Sequence, residues 1–105
     1  MAEERYKPIS KEQDIDELRV GDVVNFYYPD CGRFLYNGRH ARNNKYVFFG
    51  RRPDGVIIEF RFNREELSLG QNGLLNGRES SDFTIFHIDD INGKSREDLL
   101  KKVGL

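Results

Sequence analysis

Few side chains in this sequence could do chemistry. Cys31, His40 and His87 are its only soft metal ligands. A structural zinc site wants four ligands, commonly Cys or His in pairs at short spacing. The spacing here is wrong, so no metal site is assigned. Acid–base or nucleophilic work needs a positioned pair with a third group to orient it. Asp89-Asp90, close to His87 in sequence, is the available carboxylate pair. Its ordinary role is a solvated strand end before the Asn92-Gly93 turn. There is no Gly-x-Ser-x-Gly, phosphate loop or dinucleotide fingerprint. Gly50-Arg-Arg-Pro-Asp-Gly55 has two glycines but no helix after it, and so presents no helix N-terminus to a phosphate. No catalytic residue, cofactor or metal is expected. A small enzyme or enzyme subunit is the weakest of the readings.

The arginines carry more information. Net charge is only −1, but it is unevenly placed. Residues 1–22 hold four basic and seven acidic side chains, residues 23–64 eight and three, and residues 65–105 five and eight. A basic centre thus lies between two acidic flanks. Within it, Arg33, Arg39 and Arg61 are expected on the sheet face opposite the core, with Tyr27 and Asn37 among them. Arg42, Lys45, Arg51, Arg52 and Arg64 fall at turns or strand ends. Arginine grips phosphate bidentately and stacks on bases, and an exposed tyrosine offers a stacking platform. The expected ligand is RNA or single-stranded DNA, held by Tyr27, Arg33, Arg39, Arg42, Lys45, Arg51, Arg52, Arg61 and Arg64. Two other readings compete. One is a protein-interaction adaptor, which adds a partner strand to a sheet edge or docks an acidic partner on the arginines. The other is a solvated face where arginine serves for its long apolar stem. A whole-chain isoelectric point near 6.1 favours these two.

The elements that must position these side chains lie between Gly21 and Phe62, where ten of the thirteen aromatic residues occur. Runs of β-branched and aromatic residues are separated there by Pro29-Asp-Cys-Gly32, Arg42-Asn-Asn44 and Pro53-Asp-Gly55. They read as four strands joined by turns. In the last turn Pro53 pre-sets φ and Gly55 takes the positive φ. Alternation along the strands assigns Val24, Phe26, Phe34, Tyr36, Tyr46, Phe48, Ile58, Phe60 and Phe62 to the core. Tyr46-Val-Phe-Phe49 is apolar on both sides, as a doubly covered strand would be. Asp82–Ile88 is expected as a fifth strand. Residues 63–67 suit a helical turn, and Gly70–Gly77, with two Asn-Gly pairs, reads as a loop or very short hairpin.

Residues 1–9 form the expected flexible tail and residues 10–20 a short helix or turn, with Ser10 and Gln13 as a capping box and Gly21 as its end. The β-barrel spans 22–88. A C-terminal helix over 95–103 begins at Ser95 and must dock Leu99, Leu100 and Val103 on the sheet, being too short to hold alone. A chain of 105 residues makes one domain. No apolar run approaches the ~20 residues of a membrane span. The acidic N-terminus does not suit a signal peptide, and one cysteine excludes an internal disulfide. An intracellular setting, cytoplasmic or nuclear and without membrane contact, is expected.

These elements make a mainly β fold with small flanking helices. It is a five-stranded antiparallel meander curled into a small, partly open barrel. Over roughly residues 18–88 the arrangement resembles the SH3-like and Tudor-like barrels. Arg19-Val-Gly-Asp-Val-Val24 is similar to their first-strand entry. The Trp and Asp-Tyr-Gly turn usual in Tudor domains are absent, and Pro53-Asp54-Gly55 stands in that place.

Overall fold

A computed structural model describes residues 5–28, 31–52, 55–78 and 82–102. The strands are β1 (Arg5–Tyr6), β2 (Asp22–Tyr28), β3 (Gly32–Arg39), β4 (Tyr46–Arg51), β5 (Val56–Phe62), β6 (Leu67–Leu69), β7 (Leu75–Gly77) and β8 (Phe83–His87). Helices α1 (Glu12–Asp16) and α2 (Gly93–Lys102) flank them, and 3₁₀ turns cover Arg64–Glu66, Gln71–Gly73 and Ile88–Asp90. Among the described residues no helix is long and apolar enough to cross a membrane.

The fold is mainly β, in one sheet of order β6-β7-β2-β3-β4-β5-β8. The five expected strands are β2, β3, β4, β5 and β8, side by side and antiparallel. The sheet is nevertheless larger than a five-stranded meander. β7 runs parallel to β2 from Phe26↔Leu75 to Tyr28↔Asn76, and β6 pairs antiparallel with β7. β1 pairs parallel with the start of β2. The second edge of β2 lies over the core, where unpaired backbone groups are costly. Two distant segments share in covering it, and Leu75 on β7 and Leu67 on β6 are both buried.

The sheet curls. Phe62 on β5 lies against Gly77 on β7, although β2, β3 and β4 stand between those strands in the ladder. A methyl group at Gly77 would sit 2.5 Å from the Phe62 ring. Phe26 on β2 stacks across the interior on Phe62, with centroids 5.9 Å apart. The two ends, β6 and β8, do not pair among the described residues.

All nine expected core residues are buried in one cluster on the inner face. Edge-on contacts of Phe26 with Phe34 and Phe48, both at 5.0 Å, knit it together. The cluster also takes in Ile9, Ile15, Leu67 and Leu75. Of the expected flexible tail, residues 1–4 lie outside the described residues, but its end is held, because Ile9 is only 1% exposed. The Lys7 N–H donates to the Val23 carbonyl at 2.8 Å, which carries β1 on towards it. Helix α1 is closed by Asp14 instead of Gln13. The Asp14 carboxylate accepts from the Ser10 and Lys11 amides at 2.9 and 3.1 Å. These bonds, the Ser10 amide foremost, hold its carboxyl below the usual range. The helix ends at Asp16, short of Gly21, whose N–H instead donates to the Tyr36 carbonyl at 2.9 Å.

The outer face has a smaller cluster. Val47 and Phe49 on β4 and Ile57 on β5 pack with Leu99 of α2, flanked by Phe86 and Ile91. β4 is therefore apolar on both sides because both sides are covered. Helix α2 docks through Leu99; Val103 lies outside the described residues.

Candidate functional site

The nine residues expected to bind nucleic acid do not form one surface. Among the described residues, Arg61, Lys45 and Arg64 make ion pairs within the chain. Arg61 stands on the outer face of β5 and donates to Asp82 and Thr84 at 2.9 Å each, and to Glu59. Thr84 belongs to β8, where it pairs with Glu59 across the ladder, and Asp82 directly precedes that strand. Lys45 reaches the same Asp82 carboxylate at 2.8 Å. The Lys45 bond foremost, then Arg61, holds the Asp82 carboxyl below its usual range. Arg64 ties the turn after β5 to α1, donating to Asp16 at 2.7 Å and Glu12 at 3.0 Å. The Arg64 bond depresses the Asp16 carboxyl in turn.

Arg39 is not on the expected face. The β3–β4 register runs Tyr36↔Phe48 and then Arg39↔Tyr46, one residue longer on β3 than on β4. This bulge falls at Asn37-Gly38, where Gly38 takes φ +90°. The extra residue turns Arg39 to the side of Tyr46, and its guanidinium lies 4.1 Å from the centre of that ring. Its Nε also donates to the Asn44 carbonyl at 2.7 Å. Arg42 is exposed in the neighbouring turn, near His40.

Tyr27, Arg33, Arg51 and Arg52 remain, and the fold gathers them at the β2–β3 and β4–β5 hairpin end. Arg33 pairs across the strands with Asn25; Tyr27 lies further along β2, at the shift in the β2–β7 register between Phe26 and Tyr28, and is 62% exposed. Phe34 pairs with Gly50, which puts Arg33 and Arg51 on the following rung, on one face. Arg52 follows, its N–H donating to the Val56 carbonyl at 2.8 Å. All three arginines are exposed and line a cleft of about 260 Å³ with Phe34 and Ile58 in its floor. Asp30 and Asp54 of the same hairpins lie outside the described residues.

The floor depends on a glycine. A Cβ on Gly50 would meet the Phe34 ring at 2.4–2.8 Å, so that ring fills the space a side chain would take. Cys31 and Gly32 complete the rim, and Cys31 is an exposed free thiol. The sequence reading missed Phe34, Gly50 and Ile58 as lining residues. The available signal was a lone glycine within the apolar run Tyr46–Gly50, which marks close approach by a neighbour. His87 ends β8, and Asp89 and Asp90 lie exposed in the turn after it. Among the described residues no three His, Cys, Asp or Glu side chains are grouped to hold a metal.

The corner can attract and orient an anion. Three arginines line a cleft with a small apolar floor, while Tyr27 lines a second cleft with Glu65, Glu66 and Arg78. Comparison with protein-family models, with curated proteins and with solved structures finds no match.

Proposed function

We propose that this chain is a small, non-catalytic, intracellular binding module for RNA or single-stranded DNA, working at the hairpin end of its sheet. Arg33, Arg51 and Arg52 take backbone phosphates, and Tyr27 stacks a base. The convergence of the three arginines on one cleft with an apolar floor carries this reading; Tyr27, 62% exposed at the end of the neighbouring strand, supplies the aromatic platform it needs. Single-strand binders combine a basic path for the backbone with aromatic platforms for bases. The curled, unclosed sheet fits a partly open SH3-like barrel. Arg61, Lys45 and Arg64 leave the proposed site because of where they stand: Lys45 precedes β4, Arg61 is next to last in β5 and Arg64 follows it, at the opposite end of those strands from Arg51 and Arg52.

The test is a salt-titrated anisotropy measurement with oligouridine, oligothymidine and an acidic polypeptide compared. Log affinity for the oligonucleotides should fall linearly with log salt, with a slope of about −0.7 per phosphate contact. Arg51→Glu with Arg52→Glu should weaken binding several-fold and make the slope shallower by about one to two contacts. Tyr27→Ala should cost ~1–3 kcal/mol with little change in slope, because stacking releases no counterions. The reading fails if neither oligonucleotide binds below ~100 μM at low salt. It also fails if the acidic polypeptide binds more tightly through the same arginines, which would make the corner a site for acidic protein.

A further inference from the structure

The free edge of β8 matches its own copy. β8 pairs with β5 on one side, and among the described residues nothing pairs with the other. The Arg61 N–H donates to the Asp82 carbonyl at 3.1 Å, and this fixes the phase of the ladder. In an antiparallel pair, residues that exchange bonds with the neighbour alternate with residues whose N–H and C=O point away. Asp82, Thr84 and Phe86 therefore face β5, while Phe83, Ile85 and His87 aim their backbone groups outward. The side chains of those three share the inner face, opposite Phe60, Ile58 and Val56. Phe83 and Ile85 are each 44% exposed. The edge also lacks the usual guards: Phe83–His87 contains no lysine, proline or bulge, and its register with β5 is unbroken.

We propose that β8 pairs antiparallel with β8 of a second copy, about a two-fold axis through Ile85. The pleat requires like-facing residues to oppose each other, so the axis must pass through a residue. With the axis at Ile85, each Ile85 exchanges both backbone bonds with its counterpart, and each Phe83 does so with the second copy's His87. Every outward group of the strand is then satisfied. An axis at Thr84 or Phe86 leaves one outward residue of β8 without a partner in the opposing β8. The side chains agree with the backbone: Ile85 meets Ile85, Phe83 meets His87, and Thr84 meets Phe86. No like charges are opposed, and aromatic and β-branched pairs of this kind favour strand association. Self-complementarity about one axis is what a two-fold interface demands, and an unrelated strand would not need it. A single strand pair is a small interface, so the dimer is expected to dissociate on dilution. This inference is independent of the nucleic-acid reading.

Sedimentation from low micromolar to millimolar protein tests it. The wild-type mass should double across that range, with the amides of Phe83, Ile85 and His87 gaining protection from exchange as it does. Ile85→Lys places two ammonium groups on the axis and should hold the mass at monomer throughout, with an unchanged circular-dichroism spectrum. Register is read separately in a Cys31→Ser background. Ile85→Cys should cross-link two copies on oxidation, because opposed residues of a bonded pair lie at a Cα separation of about 5.5 Å, within disulfide reach. Thr84→Cys should not. A wild-type monomer at the highest concentration overturns the proposal. So does a dimer that survives Ile85→Lys, or equal cross-linking at positions 84 and 85.

Discussion

Removing Arg61 should destabilise the protein far more than removal of an arginine from an open sheet face. Such a surface substitution stays within about 0.5 kcal/mol. Here the Arg61 side chain is 15% exposed, Glu59 16% and Asp82 30%. Arg61→Ala deletes three hydrogen bonds from the guanidinium. Asp82 keeps Lys45, but Glu59 loses the partner that offsets its desolvation. A charge-assisted bond is worth ~1.5–3 kcal/mol, and orphaning a fully buried partner costs ~3–5. Because these groups retain some water, about 2–3 kcal/mol is expected for Arg61→Ala. Adding Glu59→Gln removes the orphaned charge, so the double variant should recover ~1–2 kcal/mol relative to the sum of the singles. Urea titration at constant m-value measures both. For scale, Phe60→Ala, the inner-face neighbour, should cost ~3–5 kcal/mol. If Arg61→Ala falls within ~0.5 kcal/mol of wild type, the network is solvated and the reasoning is wrong. In the same variant, oligonucleotide affinity should hold, since Arg61 lies outside the proposed site.

Further outcomes follow from particular contacts. Gly50→Ala drives a methyl into the Phe34 ring and should cost ~1–3 kcal/mol in chemical denaturation, with Phe34→Leu in the same chain relieving part of it. The Asp82 carboxyl titrates lower in the folded chain than unfolded. Its contribution is therefore complete above the ordinary carboxylate range and lost as pH falls through the depressed folded value. Asp82→Asn should be less stable at neutral pH and lose less of its remaining stability on acidification, as read from denaturation midpoints across pH. Leu99→Ala should lower stability by ~2–3 kcal/mol, and an unchanged melting temperature would mean that α2 is not held to the outer face.

The inner core was legible because strand alternation is a strict period of two and the aromatic runs are long enough to show it. Val24 through Phe62 all fell on the expected side. β6 and β7 were not legible as part of the sheet. They are three residues each, set among Gly and Asn; β7 becomes a strand by completing the edge of β2, and β6 by pairing with β7. The face of Arg39 was misread because period two fails at a bulge. The Asn37-Gly38 pair was the visible sign, since an isolated glycine within a strand marks one. Strand alternation puts Glu59 on the same face as Arg61, but the burial of their pairing depends on Asp82. That residue arrives only with the β5–β8 register.

The parallel pairing of β2 with β7 also bears on how fast the protein can fold. β2 to β5 are joined by hairpins, so each contact forms between segments already near each other in the chain. β7 can reach β2 only after a long excursion, and Arg64 meets Glu12 from 52 positions away. Closing such loops costs entropy before any contact returns stability, and folding rates fall as contacts become less local. Refolding should therefore run slower than the hairpin content suggests. Substitutions at Leu75 or Gly77 would act on stability and folding rate together. Although it reads as a local meander, the chain is set to fold at the pace of its most distant contact.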